Sequence, residues 1–272
     1  MHAPVDKAGR EFWDQQWEYR HVPEAVDPRS PGLSSLFSRR MHAFFERAFA
    51  GLETHSSSLL EVGCARSPWL PYFAKEFGFA VSGVDYSLVG CEQARAVLAG
   101  AGVGGEIVCA DLFDPPERLR ASFDVVVSLG VVEHFAQTAR AIEACASFLA
   151  PGGTLITFVP NLVGVVGRFQ RRLDRSIYDI HLPLRADELR QAHAAAGLAM
   201  VECDYFLSVG FGIMHVSGAG ADPRLTAAKR ATIRILEGVS VLVWWLEDRT
   251  RCLPATRWLS PYIACVARAP VR

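Results

Sequence analysis

The sequence predicts an α/β fold with a doubly wound, mostly parallel sheet, and three observations lead to that fold class. Short β-branched runs alternate with longer helical segments from residue 58 onward, which requires right-handed crossovers and helices on both faces of the sheet. The run Asp124-Val125-Val126-Val127 is almost continuously apolar, as expected for a strand buried on both faces. The chain has 272 residues, of which 50% are hydrophobic, so we expect one domain with one large core.

The first part of the sequence gives its strands and helices in a regular order. Strand and helix patterns alternate through five segments, which read SSLLEVG, WLPYFAKEFG, FAVSGVD, LVGCEQARAVLAG and GEIVCAD. A strand with the sequence FDVVVSL and a helix over about residues 133–150 come next. A strand with the sequence GTLITFV then follows a turn in which Gly152 and Gly153 supply backbone freedom.

The pattern changes after residue 160. The predicted segments there are an arginine-rich stretch, a helix near residues 186–196, a strand near 198–207, a glycine-rich stretch, an apolar helix over 231–246 and a last strand within 259–268. The apolar helix contains Arg234 and Glu237 and is shorter than the roughly 20 apolar residues that a bilayer span needs. Because its apolar residues recur at helical spacing, we predict a buried or groove-lining helix and no membrane span.

The charge balance and the cysteines argue against several classes of protein. Lys and Arg total 28 against 29 Asp and Glu, so no overall field attracts nucleic acid or an anionic membrane. The seven cysteines lie mostly in apolar runs without CxxC pairs, which favours reduced thiols over a zinc site or a disulfide framework. The N-terminal segment carries charges where a signal peptide needs an apolar core, so we expect a cytoplasmic protein.

Acidic residues end the first three predicted strands, at Glu61, Asp85 and Asp111. Ligands of open α/β sheets bind beyond the carboxyl ends of the strands. A carboxylate at Asp85 can accept hydrogen bonds from two ribose hydroxyls, and one at Asp111 can accept from the exocyclic amine of a purine. Glu61 suits a cationic amino-acid group. Each acid could instead cap a helix, but together they predict a site for a nucleoside with an amino-acid tail.

The loop after the first strand supports this site. Gly63 lets the backbone approach a ligand, and the small residues Cys64, Ala65 and Ser67 leave the turn uncrowded. The loop lacks the GxGxxG pattern of pyrophosphate-binding loops, and Glu61 would repel a pyrophosphate. A dinucleotide cofactor is therefore disfavoured.

Several motifs in this order resemble the class I S-adenosylmethionine-dependent methyltransferases, in particular those that act on small molecules. The resemblance covers about residues 55–160. Its motifs are Glu61-Val62-Gly63-Cys64-Ala65, the acid Asp85, Cys109-Ala110-Asp111-Leu112, Phe123-Asp124-Val125-Val126-Val127-Ser128, Gly130-Val131-Val132-Glu133-His134-Phe135 and Leu149-Ala150-Pro151-Gly152-Gly153-Thr154-Leu155. The chain departs from the ExGxGxG pattern of that family, because Ala65 and Ser67 replace the second and third glycines.

The resemblance implies a seven-stranded, Rossmann-like methyltransferase fold that binds S-adenosyl-L-methionine and releases S-adenosyl-L-homocysteine. By the same resemblance, Leu129 and Gly130 lie near the methionine tail, while Tyr86, Asp111 and Leu112 flank the adenine. The predicted parts are an N-terminal helical cap over residues 1–50, a cofactor-binding core over 55–160, insertions over 161–185 and 208–250 that form a lid over the substrate, and the last strand over 259–268.

Candidates for binding the methyl acceptor lie outside this core. Trp13, Trp17 and Tyr19 could supply apolar walls or cation–π contact to a sulfonium, or could simply pack a short helix. Phe211, Met214 and His215 lie in a glycine-rich stretch that, with the apolar helix, suggests a lidded hydrophobic pocket.

Two histidines are candidate catalytic residues. His181 lies close to Tyr178 and Asp179, which are further substrate candidates, and it is the first choice for a general base. Its alternative role is a hydrogen bond to the local backbone. His134 follows Glu133 and is the second candidate, with packing as its alternative. Glu133 and His134 suggest a metal-ligand pair, but no further cluster in the sequence completes it, so we expect no metal.

The sequence therefore predicts a methyltransferase acting on a small or medium, largely apolar organic acceptor, with oxygen or nitrogen as the favoured methylated atom and specialised metabolism as the setting. An arginine run over residues 168–175 could bind a phosphate or carboxylate but fits a solvated helix face better. No nucleic-acid surface is expected, and a homodimer is left open. The alternatives are a noncatalytic binding or assembly protein with this fold and a nucleotide-dependent oxidoreductase.

Overall fold

The structure, a computed structural model, describes residues 6–18, 21–217, 222–250 and 253–271. Within them, one seven-stranded sheet has the strand order β3-β2-β1-β4-β5-β7-β6. The strands are β1 (Ser58–Val62), β2 (Ala80–Asp85), β3 (Glu106–Cys109), β4 (Phe123–Leu129), β5 (Leu149–Pro160), β6 (Ala199–Phe206) and β7 (Tyr262–Arg268). The predicted fold class is confirmed.

Five neighbouring strands of the sheet run parallel, and β7 is inserted antiparallel between β5 and β6. The chain builds outward from β1 through β2 to β3, and then returns to place β4 on the other side of β1. The strand order therefore reverses between β1 and β4. In open α/β sheets such a reversal leaves a crevice at the carboxyl ends of the strands, where ligands bind.

The helices follow the predicted order with two differences at their ends. The helices are α1 (Arg10–Glu18), α2 (Leu36–Ala48), α3 (Trp69–Phe77), α4 (Leu88–Ala101), α5 (Thr138–Ala146), α6 (Val165–Leu173), α7 (Arg175–Asp179), α8 (Ala186–Ala195) and α9 (Pro223–Thr250). The helix predicted over 133–150 begins only at Thr138, because a 3-10 turn and the extended residue Phe135 precede it. The apolar helix is longer than predicted, since Asp222 caps Arg224 N at 2.8 Å and Pro223 suits the first helical position.

Two hydrophobic clusters cover the two faces of the sheet. Leu60 and Val126 belong to one cluster, whereas Leu59, Val125 and Val127 belong to the other. This division follows from strand geometry, because successive side chains point to opposite faces. All five side chains are fully buried, and burial of each contributes about 1.5–3 kcal/mol to stability. The core therefore holds the strand ends rigidly in register.

A third cluster joins α9 to the segment before it. Trp244 Nε1 donates to Val209 O at 2.8 Å, and Phe211 N donates to Ser240 Oγ at 3.0 Å. The opposite face of α9 leaves Ile235 and Leu242 exposed by 69% and 54%, so only one face of this helix packs as predicted. Among the helices of the described residues, none is both long and apolar enough to cross a bilayer.

The expectation of reduced cysteines without a disulfide is wrong for one pair. Cys203 and Cys265 lie directly opposite each other in the β6–β7 register, with a Cα–Cα separation of 4.0 Å, and form a disulfide. The sequence does not show this pairing because 62 positions separate the two residues. Among the other described cysteines, Cys64, Cys91 and Cys145 are buried free thiols and Cys109 is an exposed one.

Candidate active site

The loop after β1 forms a tight backbone turn beneath Val131. Gly63 has φ +76°, and a Cβ placed on it would lie 2.3 Å from Val131 Cγ2. A side chain is therefore excluded by both conformation and space. Glu61 Oε2 accepts a 2.6 Å hydrogen bond from Ser67 Oγ. Burial raises the pKa of Glu61 to about 8, although the hydrogen bond from Ser67 lowers it. Through that hydrogen bond, Glu61 supports the loop from below.

Asp85 joins the loops that follow β1 and β2. Its Oδ1 accepts from Ser87 N at 2.8 Å, and its Oδ2 accepts from Ala65 N at 3.1 Å. Burial raises the pKa of Asp85 to about 6, although backbone hydrogen bonds from Ser87 and Ala65 oppose this shift. Asp111, after β3, accepts from Phe113 N at 2.8 Å. Both carboxyl groups are thereby oriented by the backbone around them.

These strand ends line one continuous cavity of about 260 Å³, called the first cavity below. Of the predicted cofactor residues, Glu61 and Cys64 are buried under the loop and do not line it. The predicted residues that line it are Gly63, Ala65, Asp85, Tyr86, Asp111, Leu112, Leu129 and Gly130. The cavity is also lined by residues that the sequence did not predict, among them Asp6, Phe113, Val131 and Phe135.

The helix α1 closes the first cavity from the N-terminal side. Asp6 accepts a short hydrogen bond from the Tyr86 hydroxyl, and Ser87 Oγ donates to Asp14 Oδ1 at 2.5 Å. Trp13 and Trp17 stack with ring centroids 5.6 Å apart and line the cavity. The N-terminal segment is therefore tied to the same β2–α4 loop that carries Asp85. Tyr19, a predicted substrate residue, lies outside the described residues.

A second cavity of about 300 Å³ adjoins the first. The two cavities share Trp13, Trp17, Gly130 and His134 in their walls. Most of the remaining wall is apolar and comes from α6, α7, the segment 212–216 and the start of β7. These residues include Leu162, Val166, Ile177, Ile180, Ile213 and Tyr262. The first cavity therefore communicates with an apolar space beyond the end of β4.

Only part of the predicted substrate set reaches the second cavity. Trp13, Trp17 and His215 line it, as do both candidate catalytic histidines. Asp179 instead pairs with Arg175 at 3.2 Å on the surface. The remaining predicted residues also lie elsewhere, with Tyr178 beside Arg171 and with Phe211 and Met214 in the cluster around Trp244.

The spacing of residues around α7 explains which of them face the second cavity. Ile177, Ile180 and His181 line the cavity and recur at helical spacing, so they occupy one side of the turn. Tyr178 and Asp179 fall between them and point away. The arginines of the neighbouring run, such as Arg171, are exposed and line neither cavity, which fits a solvated helix face.

Glu133, His134 and His181 form a cluster in the wall of the second cavity. Glu133 Oε1 and His134 Nε2 are 4.0 Å apart, and the two imidazole centroids are 4.5 Å apart. Burial raises the pKa of Glu133 to about 8 and lowers the pKa of His134. Burial, with the neighbouring His134 imidazole, lowers the pKa of His181 to about 4. Both imidazoles are therefore neutral at pH 7.

The hydrogen bonds of the two histidines define which nitrogen is available. His134 Nδ1 lies 3.0 Å from Ile180 O, and His181 Nδ1 lies 2.7 Å from Ile177 O. A carbonyl only accepts, so each Nδ1 carries the proton and each neutral ring leaves Nε2 with a free lone pair. The local backbone bond considered for His181 is thus present, and it leaves the other nitrogen for chemistry.

Gln170 is a site residue that sequence reasoning missed. Its Nε2 donates to His215 O at 2.9 Å, and its Oε1 accepts from His215 N at 2.9 Å. This pair of bonds holds the 212–216 segment against α6 and over the second cavity. No local pattern marks Gln170, since its partner lies 45 positions away.

Fold and site together define a class I S-adenosylmethionine-dependent methyltransferase. The strand order reverses at β1, the side-chain-free turn at Gly63 and the oriented carboxyl groups of Asp85 and Asp111 line the first cavity, and the second cavity adjoins it. The chain belongs to the methyltransferase domain family, whose model matches residues 34–203. This membership confirms the predicted enzyme class and S-adenosylmethionine as its cofactor, in place of the oxidoreductase and binding-protein alternatives.

Comparisons with individual proteins agree with the family. The chain is 26% identical over 208 residues to a ubiquinone biosynthesis O-methyltransferase of Saccharophagus degradans, covering 74% of this chain and 81% of that protein. The crystal structure of the [4+2]-cyclase SpnF has a TM-score of 0.62 at 18% identity and covers 100% of this chain and 98% of that one. Geranyl diphosphate C-methyltransferase from Streptomyces coelicolor has a TM-score of 0.58 at 14% identity, covering 95% and 96%. These structures share the fold while their names describe different reactions.

Proposed function

We propose that this methyltransferase transfers a methyl group to a hydroxyl oxygen of a small or medium, largely apolar organic acceptor bound in the second cavity. The observation that carries the proposal is the wall common to both cavities, which contains Gly130 and His134. An acceptor in the second cavity lies beside the cofactor end that Leu129 and Gly130 form. The name of the relative from S. degradans, an O-methyltransferase, agrees with oxygen as the acceptor atom.

The size and lining of the second cavity support a small acceptor. Its volume of about 300 Å³ lies at the lower end of the roughly 300–1,000 Å³ of typical ligand sites. Trp13, Ile177 and Tyr262 give it apolar and aromatic walls, and its polar lining includes the Glu133–His134–His181 cluster. A ring or short chain carrying one or two hydroxyl groups matches this distribution.

The residues of the first cavity would hold the cofactor in named ways. Asp85 would accept from the ribose hydroxyls, Tyr86, Asp111 and Leu112 would surround the adenine, and Gly130 would border the methionine tail. The absence of a side chain at Gly63, where a Cβ would meet Val131, leaves the backbone open to close approach. Bound S-adenosylmethionine supplies an activated methyl group and departs as S-adenosylhomocysteine.

The chain contributes alignment, exclusion of water and removal of a proton. The helix α1 and the segment 212–216 cover the two cavities, so the acceptor reacts away from bulk water. His134 Nε2 and His181 Nε2 have free lone pairs and accept hydrogen bonds from the acceptor hydroxyl. The O–H bond breaks and its proton passes to one of these Nε2 atoms, while the oxygen forms its bond to the methyl carbon and the carbon–sulfur bond breaks with its electrons returning to sulfur. A neutral amine would not need such a group, and this favours oxygen.

The proposal is tested by incubating the protein with methyl-labelled S-adenosylmethionine and a matched panel of phenols, catechols, anilines and thiols. We expect label on oxygen in an apolar hydroxylated compound, detected by mass spectrometry of the product. His181→Gln should lower kcat about 10²-fold or more, whereas His21→Gln, at an exposed position that lines neither cavity, should leave kcat unchanged. Label on nitrogen, or S-adenosylhomocysteine binding without turnover of any compound, would refute the proposal.

A further inference from the structure

We propose that Glu133, His134 and His181 bind one divalent transition-metal ion, which holds the acceptor hydroxyl in the second cavity. Each residue offers one ligand atom, and these atoms lie within 4.8 Å of one another. The role in acceptor binding rests on the proposed function, whereas the binding of the ion does not. The sequence alone predicts no metal, because it shows no third ligand beside Glu133 and His134. The fold supplies it by bringing His181, which follows α7, onto the loop after β4.

The separations in the cluster suit a single ion. Metal bonds to imidazole nitrogen and carboxylate oxygen are about 2.0–2.2 Å long in a tetrahedral zinc site, which separates the ligand atoms by about 3.4 Å. Glu133 Oε1 and His134 Nε2 are already 4.0 Å apart. Side-chain movements of less than about 1 Å would bring these two atoms to the separation of about 3.4 Å that a tetrahedral site requires.

Both histidines have the tautomer that a metal ligand requires. Nδ1 of His134 donates to Ile180 O and Nδ1 of His181 donates to Ile177 O. A backbone carbonyl that takes the Nδ1 proton fixes the ring and leaves Nε2 as the ligand, and this is the usual arrangement around metal-binding histidines. Since Ile177 and Ile180 belong to the same helical turn, one backbone segment orients both rings.

Glu133 provides an independent indication of a missing partner. Its side chain is 2% exposed, and its Oε2 has no hydrogen-bond partner among the residues that the structure describes. A buried carboxyl oxygen without a partner costs about 1–3 kcal/mol or more, so most such groups in proteins are satisfied. A cation between Glu133 and the two imidazoles would satisfy it.

The donor set indicates the kind of ion. Two imidazole nitrogens and one carboxylate oxygen suit zinc, iron(II), cobalt(II) or nickel(II), whereas magnesium and calcium prefer oxygen ligands. Three protein ligands leave at least one coordination position open, as in catalytic metal sites. The cluster lines the second cavity, so the open position faces the place proposed for the acceptor.

A bound ion changes how the hydroxyl loses its proton. Coordination lowers the pKa of a hydroxyl, so its O–H bond breaks and the proton passes to a water molecule while the electron pair stays on oxygen. That oxygen then forms the bond to the methyl carbon as the carbon–sulfur bond breaks and its electrons return to sulfur. When the ion is bound, the Nε2 atoms of His134 and His181 act as its ligands, and this replaces the proton-accepting role described above for the metal-free chain.

The test measures metal binding without turnover. The full chain is purified, stripped with a chelator and titrated with cobalt(II) in the absence of cofactor, with visible absorption and elemental analysis as readouts. We expect one equivalent of cobalt, displaced by zinc. Glu133→Gln and His181→Gln should weaken cobalt binding at least about 100-fold, because losing a ligand exceeds the 10–100-fold effect of losing a supporting hydrogen bond. His21→Gln should bind cobalt like the wild type.

Each outcome of these measurements either supports or overturns the metal site. Absence of stoichiometric cobalt binding to the wild-type chain, or equal binding by all variants, would overturn it, and calorimetry with S-adenosylhomocysteine checks that each variant is folded. If a variant does not fold, the wild-type titration alone still decides. If the ion binds but no oxygen-methylated product forms, the metal site stands and the proposed function fails. If oxygen is methylated at the same rate after chelation, the proposed function stands and the metal role fails.

Discussion

The two cavities of this protein share a wall but are formed by different kinds of structural elements. Apart from Asp6, Trp13 and Trp17 of the N-terminal segment, the first cavity is lined by residues at or after the ends of neighbouring parallel strands, where the topology of a doubly wound sheet places them. The second cavity is assembled from α1, α6, α7, the segment 212–216 and β7, which meet only through tertiary packing. We therefore expect substitutions in the first to impair cofactor binding and substitutions in the second to impair acceptor turnover.

The largest expected effect is at the turn of the first cavity. Gly63→Ala places a methyl group 2.3 Å from Val131 Cγ2 at φ +76°, so the loop must move away from the cofactor. We expect S-adenosylhomocysteine affinity to fall at least about 100-fold, measured by calorimetry, because backbone strain of about 1–2 kcal/mol adds to the clash. Gly100→Ala in α4 is the control, since nothing lies within 4 Å of its Cβ and alanine favours helices. If the Gly63 and Gly100 variants bound S-adenosylhomocysteine with equal affinity, the turn at Gly63 would not be part of the cofactor site.

The next effect concerns the carboxyl group that links two strand-end loops. Asp85→Ala removes the acceptor of Ala65 N and Ser87 N as well as the proposed bonds to ribose. Hydrogen bonds to a charged group contribute about 1.5–3 kcal/mol, so we expect S-adenosylhomocysteine to bind about 10–100-fold more weakly. Asp114→Ala removes an exposed carboxylate outside the cavity and should change nothing. A Kd for the Asp85 variant within twofold of wild type would contradict this map of the first cavity.

The protonation of Asp85 gives a pH dependence with a defined sign. Burial raises its pKa from 3.8 to about 6 in the folded chain, so the carboxylate that is proposed to accept from ribose is lost as the pH falls through 6. We expect the Kd for S-adenosylhomocysteine to rise several-fold between pH 7 and pH 5. Stability changes in the opposite sense, because the folded chain retains a proton that the unfolded chain releases between pH 3.8 and 6. The contribution of Asp85 to the free energy of unfolding therefore decreases as pH rises through that interval.

Asp85→Asn tests whether the pH dependence comes from Asp85, because asparagine has a similar shape and does not ionise. At pH 7 this variant should bind S-adenosylhomocysteine more weakly than the wild type does. Its Kd should not change between pH 7 and pH 5. Glu61 lies under the same loop, but its pKa of about 8 keeps it protonated throughout this interval. A pH dependence that survives in the asparagine variant would mean that another group controls cofactor binding.

The sequence predicted the first cavity better than the second for the same physical reason. Strand ends can be located from alternating patterns, so Asp85 and Asp111 were placed on one edge without knowledge of side-chain packing. Helix faces in the insertions depend on where each short helix begins. The prediction therefore included Tyr178 and Met214, whose side chains lie outside the cavity. It also missed the completion of the Glu133–His134 pair by His181, because that contact spans 47 positions and forms only on folding.

A moderate effect is expected where the segment 212–216 is attached to α6. Gln170→Ala removes both hydrogen bonds to the His215 backbone, and each is worth about 0.5–1.5 kcal/mol. We expect the KM for the acceptor to rise about tenfold while the affinity for S-adenosylhomocysteine stays within twofold, because Gln170 lines only the second cavity. Arg172→Gln changes an exposed residue on the same helix and should leave both constants unchanged. A parallel loss of cofactor affinity in the Gln170 variant would show that the two cavities do not act separately.

The smallest effect is expected on the exposed face of α9, which contacts neither cavity. Ile235 is 69% exposed, whereas Trp244 on the packed face is 7% exposed. Ile235→Gln removes little buried apolar surface, so we expect the free energy of unfolding to change by less than about 0.5 kcal/mol, with kcat and KM unchanged.

The contrasting substitution is on the packed face of α9. Trp244→Ala should lower the free energy of unfolding by about 3–5 kcal/mol, because the ring of Trp244 packs in the third cluster and its Nε1 donates to Val209 O. Chemical denaturation of the two variants measures this contrast. A loss of activity in the Ile235 variant without a loss of stability would mean that this face of α9 also takes part in acceptor turnover.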